Sequence, residues 1–352
     1  MEISQIISQS KEIQDWIVEK RRTIHRNPEL MYEEFETSKL VQNTLEDLDI
    51  PFEKDIAVTG VVGTIGNGKD PCIALRADMD ALPIHEQADV EFRSEIDGKM
   101  HACGHDCHTA MLLGAARVLK KNESSIEGTI KLIFQPAEEG GAGGKMMKEQ
   151  GVLEKPKVQQ IYALHVAGTM PMGTLSSKEG TLLAATSSIK IVVSGKGGHA
   201  AAPHHTIDPV VTGSKIIVEL QTLISRELSP LESGVISITM VNAGTATNVI
   251  PPEMELQGTI RSLTNEGISQ LQTRVKEVAE SIAKANRCEV KVTFPGNDYP
   301  PTINDAECWE LGKLAAGEIL GKDKVSEMSS IMGGEDFAYY TQEVPGCFSF
   351  IG

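Results

Sequence analysis

The chain has 352 residues, 40% hydrophobic and 23% charged, a usage that excludes disordered and fibrous classes and leaves length for more than one core. Asp and Glu outnumber Lys and Arg by 49 to 33, and the formal net charge of −16 repels phosphate, which excludes nucleic acid as a partner. No apolar run approaches the ~20 residues that span a bilayer, the first residues lack the basic start and apolar segment of a secretion signal, and six scattered cysteines form no disulfide framework. A soluble, cytoplasmic protein with free thiols and no membrane partner is therefore expected.

In chain order, Ile6, Ile13, Trp16, Ile17 and Ile24 recur at near-helical spacing over residues 3–25, and Leu40, Val41, Leu45 and Leu48 repeat the pattern before Pro51. These predict two opening amphipathic helices. Runs rich in β-branched and small residues follow at 57–65, 72–76, 129–134 and 161–166, separated by helical segments such as 109–120 with Gly or Pro at the junctions. That alternation predicts βαβ units and a largely parallel, buried sheet. From Leu182 onward, SSIKIVVSG and GVISITMV alternate polar with apolar residues around a helical segment at 208–224, the signature of a half-exposed antiparallel sheet. A helix over 266–285, a strand over 289–294 and a helix over 307–320 complete the chain. The expected fold class is α/β: a mostly parallel-sheet domain over residues 1–181 and 295–352, interrupted by a smaller α+β insert over 182–294.

The chemistry-bearing residues fall into short stretches. HACGHDCH at 101–108 packs histidines and cysteines just ahead of a helix, where open α/β sheets collect ligands; Cys103 and His105, with Gly104 between them, could reach one metal. In FQPAEEGG the adjacent carboxylates Glu138 and Glu139 cannot aim the same way, so one could coordinate while the other stays free as a general base. His165 ends an apolar strand at what should be the same sheet edge, His199 lies on a Gly-rich loop of the insert, and Glu335 and Asp336 follow a Gly pair. Competing motifs fail on detail. GGAGGK lacks the first Gly and the Ser or Thr of a phosphate loop, HEQAD is not HExxH, and neither G-x-S-x-G nor the P-C-x-x-C of a zinc deaminase occurs.

Together, RADMDALP at 76–83, HACGHDCHTAM at 101–111, FQPAEEG at 134–140, LHV at 164–166, GGHAAAPH at 197–204, NVIP at 248–251 and GGEDF at 333–337 make a single pattern. In it the chain resembles the amidohydrolase branch of the aminoacylase and carboxypeptidase-type dinuclear metallopeptidases, which includes hippurate hydrolases, indole-acetyl-amino-acid hydrolases and N-acetyl-diaminopimelate deacetylases. The resemblance implies a catalytic domain holding two divalent metal ions, Mn²⁺ or Zn²⁺, and a lid domain that pairs subunits into a homodimer. It further implies that Cys103, His105, Glu139 and His165 are metal ligands, Glu138 the general base and Asp78 a supporting carboxylate. His199 would stabilise the oxyanion, and Asn248 and Arg261 would grip the substrate carboxylate. The activity implied is hydrolysis of N-acyl amino acids to a carboxylic acid and a free amino acid.

One family feature has no counterpart. Relatives carry a further metal-ligand histidine near the C-terminus, whereas all nine histidines here lie at or before His205. The chain is thus expected to be truncated there or to complete the second site with another residue, Cys347 and Glu335 being nearest in sequence. Two alternatives to the hydrolase remain open: an impaired homologue that binds acyl amino acids or dimerises without turnover, and a dipeptidase or carboxypeptidase. Cys107 is read as a small packed thiol.

Overall fold

The computed structural model describes residues 2–352, and they divide into two compact units. The first comprises residues up to Leu182 together with 302–329 and 335–352, and the second comprises 183–301 with 330–334.

The first unit is built on an eight-stranded sheet. Its order is Phe52–Ile56, Gly60–Gly66, Thr129–Gln135, Cys72–Asp78, Gln160–Val166, Gly346–Ile351, Leu175–Ser177 and Val325–Glu327. The four central strands run parallel to one another, and antiparallel pairs join them to the flanking strands on both sides. Strand Thr129–Gln135, TIKLIFQ, is buried at every position, which is why it reads as a continuous run and not as an alternation. Its one cation, Lys131, escapes an uncompensated burial by donating to the Val152 carbonyl at 2.9 Å.

Helices Phe35–Asp47 and His105–Lys121 supply Val41, Leu45, Leu112, Leu113 and Ala116 to a core shared with Val61, Ile65, Leu132 and Phe134. Each such Val, Leu, Ile or Phe side chain contributes about 1.5–3 kcal/mol by leaving water. A second cluster joins Cys308, Trp309 and Ala316 of helix Ala306–Leu320 to Leu175, Tyr162 and Cys347.

Local backbone explains where the sequence reading missed its boundaries. The single periodic stretch over 3–25 is two helices, Ile3–Glu12 and Gln14–Arg26, because Ile13 leaves the helical region at φ −106° and ψ 8°. The strand expected from residue 57 starts at Gly60, since Ala57 and Val58 sit at φ 49° and 78° and cannot be extended.

The second unit carries a four-stranded antiparallel sheet, ordered Gly234–Ala243, Glu253–Ser262, Ala185–Ser194 and Glu289–Thr293. Ile189, Ile191 and Val193 alternate inward, and with Ile236, Leu256 and Ile260 they pack against helices Pro209–Thr222 and Asn265–Ala285. Both helices are capped: the Asp208 carboxylate accepts the N–H groups of Val210 and Val211, and the Thr264 hydroxyl accepts that of Gly267, each worth about 1 kcal/mol. Among the described residues no helix is long and apolar enough to cross a membrane.

Candidate metal centre

The parallel strands of the first unit deliver their chemistry to one edge. Asp78 ends strand Cys72–Asp78, Glu138 and Glu139 follow strand Thr129–Gln135, and His165 lies in the last turn of pleat of Gln160–Val166. All are carboxyl ends, the side of an open α/β sheet where ligands gather. Cys103 and His105 join them from the start of helix His105–Lys121. Gly104 makes that approach possible. It sits at φ 94°, and a Cβ there would lie 2.3 Å from Val166 Cγ2 on the strand bearing His165.

Four groups of potential ligand atoms, each mutually within 4.8 Å, result: Cys103 with His105 and His165; Asp78 with His105 and His108; His105 with Glu138 and Glu139; and Glu138 with Glu335 and Asp336. Cys103 Sγ is 3.3 Å from His165 Nε2. His105 Nδ1 is 3.2 Å from Asp80 Oδ1, which turns Nε2 into the site, and there it is buried with no hydrogen-bond partner. Glu139 Oε1 is likewise buried without a partner. Two orphaned electron-pair donors among thiol, imidazole and carboxylate groups are what a divalent metal would satisfy.

His108, although in one of the groups, has both nitrogens engaged. Its Nδ1 lies 2.6 Å from Asp78 Oδ1 and its Nε2 accepts the Val166 N–H at 2.9 Å, which fixes the neutral tautomer with its proton on Nδ1. Burial lowers its pKa in the same sense. His108 is thus a strut between Asp78 and the His165 strand.

The electrostatics call for cations. Burial opposes charge on His105, but Asp78 and Asp80 outweigh it and hold the imidazole well above its ordinary value, so a positive charge at Nε2, proton or metal, is favoured. Burial, reinforced by Glu335 and Asp336, holds the Glu138 carboxyl well above its usual range. Burial also raises Glu139, and it pushes the Cys103 thiol up, so that a thiolate there needs a metal beside it. Against these carboxyl groups stands Arg76, whose fully buried guanidinium reaches Asp78 at 2.7 Å, Asp336 at 2.8 Å and Glu335 at 3.0 Å.

Of the residues singled out in the sequence, Asp78, Cys103, His105, Glu138, Glu139 and His165 come together in this unit, with Glu335 beside Glu138. Cys347 does not join them: it is buried in the Trp309 cluster with its sulfur 3.6 Å from Ser349 Oγ, and as a last ligand it is ruled out by place. His199 and Asn248 belong to the second unit, where ribbon strands Gly198–His199 and Val249–Ile250 pair and Ala200 N–H donates to the Asn248 carbonyl. His199 and the Asn248 side are exposed. Arg261 is half-buried in strand Glu253–Ser262, donates to Thr259 Oγ1 and the Ile260 carbonyl, and pairs with no carboxylate among the described residues.

Sequence reasoning passed over Arg76 and Asp80. Asp80 accepts the backbone N–H groups of Glu138 at 3.0 Å and Glu139 at 2.9 Å while it orients His105, so one carboxylate aligns three members of the site. The signal was present in RADMD: charges at 76 and 78 share one face of strand Cys72–Asp78 by its period of two, Asp80 follows just past its carboxyl end, and a buried strand carries such charges only for a purpose.

Comparison with known proteins agrees with this geometry. Residues 74–352 match Peptidase family M20/M25/M40. IAA-amino acid hydrolase ILR1-like 4 of Arabidopsis thaliana is 48% identical over 341 residues, covering 96% of this chain and 77% of that protein. N-acetylcysteine deacetylase of Bacillus subtilis is 40% identical over 343 residues, covering 96% and 88%. Among solved structures, the YXEP protein of Bacillus subtilis, described as a dinuclear metal binding peptidase from the M20 family, superposes with a TM-score of 0.83 at 36% identity, covering 97% of this chain and 89% of that one.

Proposed function

The chain belongs to peptidase family M20/M25/M40, and from that premise we propose that it is a metal-dependent amidohydrolase cleaving N-acyl amino acids to a carboxylic acid and a free amino acid. The observation that carries the reading is a pair of buried donor atoms that make no hydrogen bond, His105 Nε2, 3.7 Å from Asp78 Oδ2, and Glu139 Oε1, beside the Cys103 thiol and His165. We assign Cys103, His105, Glu139 and His165 to two divalent ions. The thiolate favours zinc by softness, and the carboxylates accept manganese. When bound, such ions lower the pKa of a water and polarise an amide carbonyl.

The chain's own residues carry the remaining steps. Glu138 accepts the proton of the attacking water and returns it to the leaving amine, a task suited to a carboxyl that burial holds well above the usual carboxylate range. Asp80 holds Glu138 and Glu139 by their backbones, and Asp78 holds His108 against the His165 strand. To the second unit we assign the oxyanion-stabilising His199 and the carboxylate-binding Asn248 and Arg261. A half-buried guanidinium whose pKa burial lowers, with no carboxylate partner among the described residues, supports Arg261 in that role. Cytoplasmic location and a homodimer through the second unit belong to the same proposal. The first is supported by cysteines that are all free thiols among the described residues, and the second by exposed Val218, Met240, Val241 and Val249.

The test combines metal analysis by plasma mass spectrometry with amino-acid release from N-acetyl, N-benzoyl and indole-acetyl amino acids, with dipeptides as comparison. Two metals per chain and release from the N-acyl substrates are expected. A protein that loads Zn²⁺ or Mn²⁺ yet releases nothing from any of them is a binding homologue, and the reading fails.

A further inference from the structure

We propose that residues 29–34 form a clamp on the loop bearing Glu138 and Glu139, with Glu34 as a positioning residue that sets where those two carboxylates point; the inference rests on the metal-site reading above. None of the motifs that carry the chemistry includes this segment, and it touches the loop on both sides of the pair. Glu34 is fully buried, and its Oε1 accepts the Ala137 N–H at 2.9 Å, immediately before Glu138. The Tyr32 hydroxyl donates to the Gly141 carbonyl at 2.6 Å, just after the pair. A third tie runs beneath: Ala81 N–H donates to the Glu29 carbonyl at 2.8 Å, which fixes the residue next to Asp80, the carboxylate that accepts the N–H groups of Glu138 and Glu139.

The backbone gives an independent reason why the loop needs holding. Ala137 lies at φ 55° and Tyr32 at φ 64°, left-handed conformations that are unfavourable for an L residue with a Cβ. Such residues persist where their surroundings over-determine them, and they cluster at functional sites. Both peptide groups of Ala137 are engaged, its N–H by Glu34 and its carbonyl by Gly143 N–H at 3.0 Å. Released, Ala137 relaxes to a common conformation and swings Glu138 with it.

A carboxyl group suits the post because it offers two oxygens to two separate segments: Glu34 Oε2 accepts the Thr59 hydroxyl at 2.7 Å while Oε1 holds Ala137. Glutamine can do the same. Its amide oxygen accepts from Ala137, and its NH₂ donates to a Thr59 hydroxyl that rotates to accept. Alanine can do neither.

Glu34→Ala and Glu34→Gln therefore separate hydrogen bonding from charge, and two readouts are taken on the full chain. Zn²⁺ affinity is measured by competition with a chromophoric chelator, and kcat and KM on an N-acetyl amino acid. Glu34→Ala should weaken Zn²⁺ binding and lower kcat, each by about 10–100-fold, with KM unchanged, and Glu34→Gln should restore both. Wild-type affinity and kcat in a folded Glu34→Ala protein overturn the proposal, as does a Glu34→Gln protein as defective as Glu34→Ala. Should Glu34→Ala not fold, Tyr32→Phe removes only the Gly141 tie, and Zn²⁺ affinity equal to wild type in that variant also overturns the clamp. If the wild-type chain binds Zn²⁺ but hydrolyses nothing, the functional reading fails while the affinity arm still judges the clamp.

Discussion

Burying an ionisable carboxyl to hold a loop has a thermodynamic signature. Burial pushes Glu34 from an ordinary value of 4.5 up to about 7, with the nearby Asp80 charge adding to the rise and the Thr59 and Ala137 hydrogen bonds opposing it. Between those two pH values the native protein keeps a proton that the unfolded chain has released, so native stability falls as pH rises from 4.5 through 7. At ~1.4 kcal/mol per unit the whole effect is worth about 3 kcal/mol, and it applies without discount because the side chain is fully buried. Glu34→Gln removes the titration. The stability of wild type minus that of Glu34→Gln should thus drop by about 3 kcal/mol between pH 4.5 and 8, while the many groups common to both proteins cancel.

The assay is urea unfolding in the presence of a chelator, followed by tryptophan fluorescence. Both tryptophans, Trp16 and Trp309, belong to the first unit, so the signal reports the unit that contains Glu34. A difference that stays flat to within about 0.5 kcal/mol across that range, or that rises with pH, would refute the assignment of a raised, buried carboxyl.

Three further outcomes are expected. Glu138→Gln keeps the shape but not the basicity of the side chain, and should lower kcat by about 10³-fold while metal content by plasma mass spectrometry stays at wild type; a rate within about tenfold of wild type removes Glu138 from proton transfer. Cys103→Ala deletes the thiol of the Cys103–His105–His165 group and should reduce bound Zn²⁺ in equilibrium dialysis, an unchanged stoichiometry excluding the thiol as a ligand. Arg76→Met strands Asp78, Glu335 and Asp336 in the interior and should cost about 3–5 kcal/mol of first-unit stability; a loss under about 1 kcal/mol would refute the guanidinium as their necessary countercharge.

How much of this could be read from the chain depends on how local the cause is. Strand Thr129–Gln135 and the alternating strand Ala185–Ser194 declare themselves because burial on one face or two is written into the residue pattern. Cys103 and His105 were legible because two donors on either side of a glycine need no knowledge of the fold. Glu34 and Tyr32 were not, since nothing near residue 34 says that it meets residue 137, and an acidic pair at 33–34 looks like any solvated turn. His108 shows the converse. Donor density made the whole 101–108 stretch look ligating, but only the tertiary contact with Val166 N–H shows that this imidazole is spoken for. Cys347 was close to the motifs in sequence, but it sits at the start of its strand opposite Tyr162, three residues short of the level of His165, and packs into the Trp309 cluster.

That strand, Gly346–Ile351, lies between Gln160–Val166 and Leu175–Ser177, hydrogen-bonded to both, with the rings of Phe348 and Phe350 at 6.1 and 5.6 Å from that of His165. During synthesis the strand bearing His165 emerges about 180 residues before its neighbour. For that interval one edge of the sheet is unpaired, an aggregation-prone condition that long-range parallel pairing prolongs. On the proposed assignment of His165 to a metal ion, binding is tied to the pairing of strand Gly346–Ile351: the imidazole gains its rigid setting when that strand pairs beside it, and an ion bound from then on stabilises the paired sheet.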